Sequence, residues 1–278
     1  MPEPSELTTA VGAVLDWPVD HAAAAVVAAD GTVLATAGET DRVFYLASVT
    51  KPLAAYAVLV AVEEGAVEWD TPAGPEGSTV RHLAAHASGL SFADAAVQAQ
   101  PGTRRIYSNT GFEALGETVA AAAGMPFAQY LHEAVLAPLG MTDTRLDGSP
   151  AAGAVSTVAD LARFAAELQE PKLVHFSTLQ EATTVAFPDV DGILPGYGRQ
   201  KPNDWGLGFE IRDGKSPHWT GAHSSPRTFG HFGQSGTFLW VDPDAGAACV
   251  ALTDRDFGPW AVEAWPPFTD GVLAALRS

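Results

Sequence analysis

Hydrophobic and polar positions recur with different periods in different parts of the chain. Over residues 21–40, HAAAAVVAADGTVLATAGET, two apolar runs of strand length flank Asp30-Gly31, a dipeptide that favours the tight turn of a β-hairpin. The apolar run that follows is too long for a strand. It predicts a helix from Thr50 to Glu64, with Pro52 in the first turn, where its missing N–H costs nothing, and Gly65 as the closing cap. From about 66 to 160 come shorter helical patterns, VRHLAAHASGL, GFEALGETVAAAAGM and FAQYLHEAVLAPLGM, separated by loops with Gly and Pro. VSTVADLARFAAELQE (155–170) predicts another helix, with Ser156 or Thr157 as N-cap and Asp160 in its first turn. The Gly/Pro-rich stretch 187–205 predicts a long loop. Strand patterns return in GLGFEIRD and in TFGHFGQSGTFLWVDPDAGAACVALTDR, where Asp244-Ala245-Gly246 forms a hairpin turn. The tail WPPFTDGVLAALRS predicts a short helix packed on the sheet.

Strands thus lie at both ends of the chain and helices in the middle. The fold class that follows is α+β, an α/β sandwich. Both chain ends contribute to one antiparallel sheet flanked by helices, and a mostly helical lobe is inserted between them. Residues 1–65 and 160–278 form the discontinuous sheet domain in this reading and 66–159 the helical one, with a cleft between the two. Hydrophobic residues make up 47% of the 278, enough for a sizeable core. The formal net charge of −18 argues against nucleic acid or an anionic membrane surface as partner and reads as a device for solubility. No uninterrupted apolar run reaches the ~18 residues of a membrane span. The opening stretch MPEPSELTTAVGAVLDWP lacks the basic, then apolar, pattern of a secretory leader, so a cytoplasmic location is expected. The single cysteine, Cys249, sits in an apolar strand run and reads as a buried structural thiol.

One charge is out of place. Lys51 stands at the start of the long apolar helix, three residues after Ser48, and residues three apart on a helix share a face. An ammonium removed from water loses its proton more readily, by up to several pKa units below about 10.4. A neutral lysine beside a serine can accept the hydroxyl proton and make the serine a nucleophile. Developing negative charge there also meets the positive end of a helix dipole. Ser-x-x-Lys alone is weak, since it arises by chance about once in a chain of this length. Ser48 as a helix cap and Lys51 snorkelling to solvent is the plain alternative.

Two further stretches alter the balance, Tyr107-Ser108-Asn109 in PGTRRIYSNTG and His231-Phe232-Gly233 in GHFGQSGT. With SVTK, YSN and HFG in that order, the chain resembles the serine β-lactamase/penicillin-binding-protein superfamily. The likeness is to the class C-type branch that also holds family VIII esterases and D-amino-acid peptidases. LAAHASGL (83–90), with Ala87 where the family has threonine, LAPLGMTDT, VSTVADLARF and WGLGFEI extend it over about residues 20–260. The resemblance implies a β-lactamase/transpeptidase-like fold and an acyl-enzyme on Ser48, with Lys51 and Tyr107 managing the proton. It implies Asn109 as a partner of Lys51 and of substrate, and an oxyanion hole from the backbone N–H groups of Ser48 and Gln234. Tyr107, beside ammonium groups, is expected to have a lowered pKa. Gly233 lets a substrate approach the strand edge. His231 stands where the family motif Lys-Thr-Gly has lysine, and Phe232 where it has threonine. A mostly neutral histidine cannot anchor a carboxylate as lysine does, which favours esters or small amides over penicillin-type substrates.

The expected partner is therefore a small ester, amide or lactam, with no cofactor. A β-lactamase, D,D-peptidase or D-amino-acid amidase is the nearest alternative, and a catalytically idle binding protein on the same scaffold is one of another class. No metal site is expected, because His218, His223 and His231 fall within fourteen residues without ligand spacing. His86 is expected to order a loop, and the serines of HSSPRTFGHFG to make turns. Phe44, Tyr45, Trp205 and Trp219 are candidates both for the cleft lining and for the core.

Overall fold

A computed structural model describes residues 5–278. The first four residues of the opening stretch, and so the start of the predicted 1–65 segment, lie outside the described residues. The chain runs through α1 (Glu6–Gly12), β1 (Ala22–Ala28), β2 (Val33–Gly38), β3 (Phe44–Tyr45), α2 (Thr50–Glu63), α3 (Val80–Ala84), α4 (Asn109–Ala123) and α5 (Phe127–Leu131). It continues through β4 (Arg145–Leu146), β5 (Ala154–Ser156), α6 (Val158–Glu167), α7 (Phe176–Ala182), β6 (Gly192–Leu194) and β7 (Gly198–Gln200). The last elements are β8 (Glu210–Ile211), β9 (Phe229–Gly233), β10 (Thr237–Asp242), β11 (Ala247–Thr253) and α8 (Pro259–Arg277).

Six strands form one antiparallel sheet in the order β2-β1-β11-β10-β9-β8. The N-terminal hairpin joins the C-terminal strands where β1 pairs β11, from Ala22 opposite Thr253 to Ala28 opposite Ala247. The α+β sheet built from both chain ends is thus what the polypeptide forms. Its central strands β1 and β11 are apolar almost throughout because both faces are covered, whereas the edge strand β2 is largely exposed. Ala23, Ala25 and Val27 of β1, with Leu239, Val241, Val250 and Leu252, point to the core shared with α2 and α6. The alternate residues Ala24, Val26, Phe238, Trp240 and Cys249 point to a second core under α1 and α8, with Trp17, Trp265 and Val272. Cys249 is a buried free thiol there, and burial pushes its pKa up.

Helix α2 shows no polar face because it is buried from Thr50 to Ala61. It ends as predicted, with Gly65 just past it at φ 73°, a left-handed conformation that glycine adopts freely. Four expectations need correction. The predicted helix 155–170 starts only at Val158, N-capped by Thr157, whose Oγ1 accepts from the Asp160 N–H. Residues 154–156 are instead a strand between β3 and β4, since Val155 and its neighbours have edges to pair with there. The predicted loop 187–205 contains the β6–β7 hairpin. The predicted short tail helix is α8, 19 residues long from Pro259, with Pro266 and Pro267 inside it. Of the predicted strand GLGFEIRD, only Glu210–Ile211 pairs. Among the described residues no helix is long and apolar enough to cross a membrane.

Candidate active site

Ser48 lies on a single 3₁₀ turn, Ala47–Val49, between β3 and α2. Ala47 has φ 45°, uncommon for a residue with a Cβ, so the chain turns sharply just before the serine. Sequence-distant residues hold this turn in place. Thr237 Oγ1 donates to Leu46 O at 2.9 Å and Ser235 Oγ to Tyr45 O at 2.7 Å. Leu46 N–H donates to Ala154 O, and Ala154 N–H to Thr50 Oγ1, both at 3.0 Å. Gly233 packs so closely that a Cβ there would sit 2.3 Å from Leu46 O. The Ser48 and Gln234 N–H groups donate to no protein acceptor among the described residues, while Gln234 is fixed by the Phe257 N–H donating to its carbonyl at 2.7 Å.

Lys51 is fully buried in the first turn of α2. Its Nζ lies 3.3 Å from Ser48 Oγ, 2.7 Å from Asn109 Oδ1 and 2.9 Å from Ala151 O. Among the described residues no carboxylate pairs with it, and the one that favours its charge from a distance, Glu113, is exposed. Burying an unpaired ammonium costs several kcal/mol, which favours the neutral amine. Burial accordingly lowers the Lys51 pKa well below the ordinary lysine value. A neutral amine has two N–H bonds and one lone pair. In that form the two carbonyl-type oxygens can take the N–H groups, which leaves the lone pair for the Ser48 hydroxyl.

Tyr107 and Asn109 flank Ser108, the N-cap of α4, whose Oγ accepts from the Gly111 N–H at 2.9 Å. His86 props up this segment. Its Nδ1 accepts from the Ser108 N–H at 3.1 Å, and its ring lies 4.6 Å from that of Tyr107 and 4.7 Å from that of Trp205. The loop-ordering role expected of His86 matches this geometry. The Tyr107 ring centroid is 4.5 Å from Lys51 Nζ, and its hydroxyl lies 3.4 Å from His231 Nε2. His231 Nδ1 donates to Phe232 O at 2.6 Å, which puts the ring proton on Nδ1 and leaves Nε2 an acceptor toward the phenol. Burial lowers the His231 pKa to about 3, so the ring is neutral at pH 7.

The expectation of a lowered Tyr107 pKa is corrected. Burial raises it, against a smaller opposite effect of the hydrogen bond to Ser48. The phenol therefore keeps its proton.

A cavity of about 150 Å³ opens above Ser48, walled by Tyr107, Trp205, His231, Phe232, Gln234 and the β6–β7 turn at Leu194 and Pro195. Ser48, Lys51, Tyr107, Asn109, His231, Gly233 and Gln234 are therefore gathered around one crevice. Of the four aromatic candidates, Trp205 lines it, Phe44 and Trp219 are core, and Tyr45 is half exposed. Three contributors escaped the sequence reading. The Ala151 carbonyl carries no side-chain signal. Leu194 and Pro195 lay in a stretch read as loop. Glu210, one of the residues lining the cavity, sits in a buried network missed altogether. It accepts from His218 Nε2 and Trp219 Nε1, each at 2.9 Å, and pairs with Lys215. Burial would raise this carboxyl, but His218 and Lys215 hold it below the usual carboxylate range. His223 is exposed beside Asp270, so the three close-spaced histidines diverge.

Comparison with known proteins agrees with this arrangement. The beta-lactamase family model matches residues 19–273. A crystal structure described as a beta-lactamase (Mb2281c) from Mycobacterium bovis is 60% identical, covers 97% of this chain and 100% of its own, and superposes with a TM-score of 0.95. A putative D-alanyl-D-alanine carboxypeptidase of Escherichia coli O157:H7 is 24% identical over 211 residues, 58% of this chain and 48% of that protein. The chain spans about half or less of the length of such curated relatives. EstCE1, a hydrolase with promiscuous acyltransferase activity, shares the fold at 17% identity, a TM-score of 0.77 and coverage of 96% and 97%. The chain belongs to the beta-lactamase family, within the serine β-lactamase/penicillin-binding-protein superfamily.

Proposed function

We propose that this protein is a serine hydrolase that cleaves carboxylic esters or small amides, with no carboxylate beside the scissile bond, through an acyl-enzyme on Ser48. The observation that carries the reading is the buried amine of Lys51, 3.3 Å from Ser48 Oγ, 2.7 Å from Asn109 Oδ1 and 2.9 Å from Ala151 O. Lys51 accepts the Ser48 proton as Oγ attacks the carbonyl carbon. The oxyanion that forms is held by the N–H groups of Ser48 and Gln234, each such donor being worth about 10²–10³ in rate. Tyr107, a neutral phenol between Ser48 and His231, donates to the leaving oxygen or nitrogen and recovers the proton from Lys51. Water then clears the acyl group by the reverse sequence. Asn109 steadies Lys51 through Oδ1 and keeps its NH₂ as a donor for substrate.

The size and charge of the cavity support the substrate class. A volume of about 150 Å³ is well under the ~300 Å³ at which drug-sized ligand pockets begin, which suits a short acyl group. Its walls include a carboxylate and a neutral histidine but no lysine or arginine, so a carboxylate beside the scissile bond finds no cation there. β-Lactam hydrolysis is the second reading, supported by the description of the 60% identical structure. Short-chain p-nitrophenyl ester and nitrocefin turnover by wild type and Ser48→Ala tests both. Ester turnover faster than nitrocefin turnover, with both lost in Ser48→Ala, is expected. Undiminished ester hydrolysis by Ser48→Ala excludes the mechanism, and nitrocefin turnover exceeding ester turnover selects the second reading.

A further inference from the structure

A second, larger cavity of about 530 Å³ adjoins the catalytic one, and the two share Phe92, Tyr107 and Pro195 as common walls. It contains neither Ser48 nor Gln234, so it extends from the site on the Tyr107 side. Its charge is opposite to that of the protein as a whole. The chain has 33 acidic and 15 basic residues, yet Arg104, Arg105 and Arg199 line this groove against one carboxylate, Asp191. Asp191 is shared, 3.0 Å from Arg199 and 3.8 Å from Lys201. Arg105 is buried and spends its guanidinium on the carbonyls of Ala85, Ala186, Phe187 and Asn203. Arg104 is exposed and has no carboxylate within 4.0 Å among the described residues. Fields of exposed charges decay within ~8 Å at physiological salt. An anion inside the groove therefore senses these arginines more than the distant acidic surface.

We propose that this groove receives the leaving-group end of the substrate, and that this end carries a carboxylate set several bonds from the scissile carbonyl, met by Arg104 with support from Arg199. The assignment to the leaving group rests on the proposed role of Tyr107 as its proton donor. The acyl group occupies the small cavity over Ser48, the scissile bond lies under the phenol, and the leaving alcohol or amine runs past Phe92 into the groove. The cation thus stands away from His231, where the family's lysine would have placed it. The selected substrate is an ester or amide of a short acyl group with an ω-hydroxy or ω-amino acid.

The test compares acetate esters of ω-hydroxy acids with monoacetates of diols of matching length, over a series of chain lengths. Wild type is expected to prefer the carboxylate ester in kcat/KM at intermediate length, and the preference to shrink at high salt. Arg104→Gln is expected to lower the ratio of the two kcat/KM values about fivefold, the range of an exposed ion pair, and Arg104→Glu to invert it. Equal turnover of both series at every length overturns the proposal, as does a preference confined to the shortest hydroxy acid or a ratio unmoved by either substitution. Binding to Ser48→Ala protein, read by ligand-observed NMR, keeps this separate from the hydrolase reading. The free ω-hydroxy acid should bind better than the diol, and lose that advantage in Ser48→Ala/Arg104→Glu, whether or not the wild type turns over esters. Equal binding of both overturns the groove assignment alone.

Discussion

Gly233→Ala probes how closely the third motif must approach the nucleophile. A Cβ on Gly233 would stand 2.3 Å from Leu46 O, 2.5 Å from Thr237 Oγ1 and 3.3 Å from Ala47 Cβ. The first two are far inside van der Waals contact, and the Leu46 oxygen belongs to backbone that cannot rotate away. β9 must therefore retreat from the Ser48 turn by about 1 Å. Retreat strains the Thr237–Leu46 hydrogen bond, worth about 1 kcal/mol, and overpacking of this kind costs about 1–3 kcal/mol in total. The larger effect is on chemistry. The Gln234 N–H, next in sequence, moves with β9 while the Ser48 N–H stays with α2, so the two oxyanion donors separate. A misplacement of ~1 Å costs about 10²-fold, and complete loss of one donor about 10²–10³-fold. The expected outcome is a fall of about 10²–10³ in kcat for p-nitrophenyl acetate, with a folded protein melting a few degrees lower by circular dichroism. A variant that melts like wild type and keeps kcat within about threefold would refute the assignment of Gln234 and the close approach on which it depends.

Two further predictions concern neutral groups held in place by burial. His231 has a folded pKa of about 3 against about 6.5 unfolded, so below pH 6.5 the unfolded chain binds a proton that the folded one refuses. Stability contributed by the neutral ring is present above pH 6.5 and is lost as pH falls toward 3, by about 2 kcal/mol between pH 7 and pH 5. Urea denaturation of wild type should weaken over that interval, and His231→Gln should weaken about 2 kcal/mol less; equal slopes would contradict a buried neutral histidine. Asn109→Ala removes the 2.7 Å acceptor that orients the Lys51 amine. It should lower kcat about 10–10²-fold and alter the pH profile of kcat, whereas an effect on KM alone would make Asn109 a substrate contact only.

What could be read from the chain was whatever side chains announce by identity and spacing. Ser48, Lys51, Tyr107, Asn109, His231 and Gly233 were legible as three short motifs in order, and the α+β sheet from the strand patterns at both ends. The paired face of β11 and the all-round burial of α2 explain why neither showed a polar stripe, yet both were recognisable by length. The unread parts are those fixed by tertiary partners. Residues 154–156 are a strand because β3 and β4 lie on either side, although the same letters fit a helix start. The Ala151 carbonyl acts through backbone geometry, which no residue type marks. The direction of the Tyr107 shift depends on burial, which residue spacing does not mark. Glu210 carries no signal of its own within GLGFEIRD, and its burial depends on Lys215, His218 and Trp219 closing around it.

The most direct test of the central claim is the pH dependence of Ser48 acylation, followed by rapid quenching and intact-protein mass with peptide mapping. With an activated acetyl ester the account predicts one acetyl on the Ser48 peptide, at a rate that reaches its plateau well below the ordinary lysine value because burial lowers the Lys51 pKa, and no adduct in Lys51→Met. An adduct on another residue, or a rate still climbing toward the ordinary lysine value of about 10.4, would contradict it.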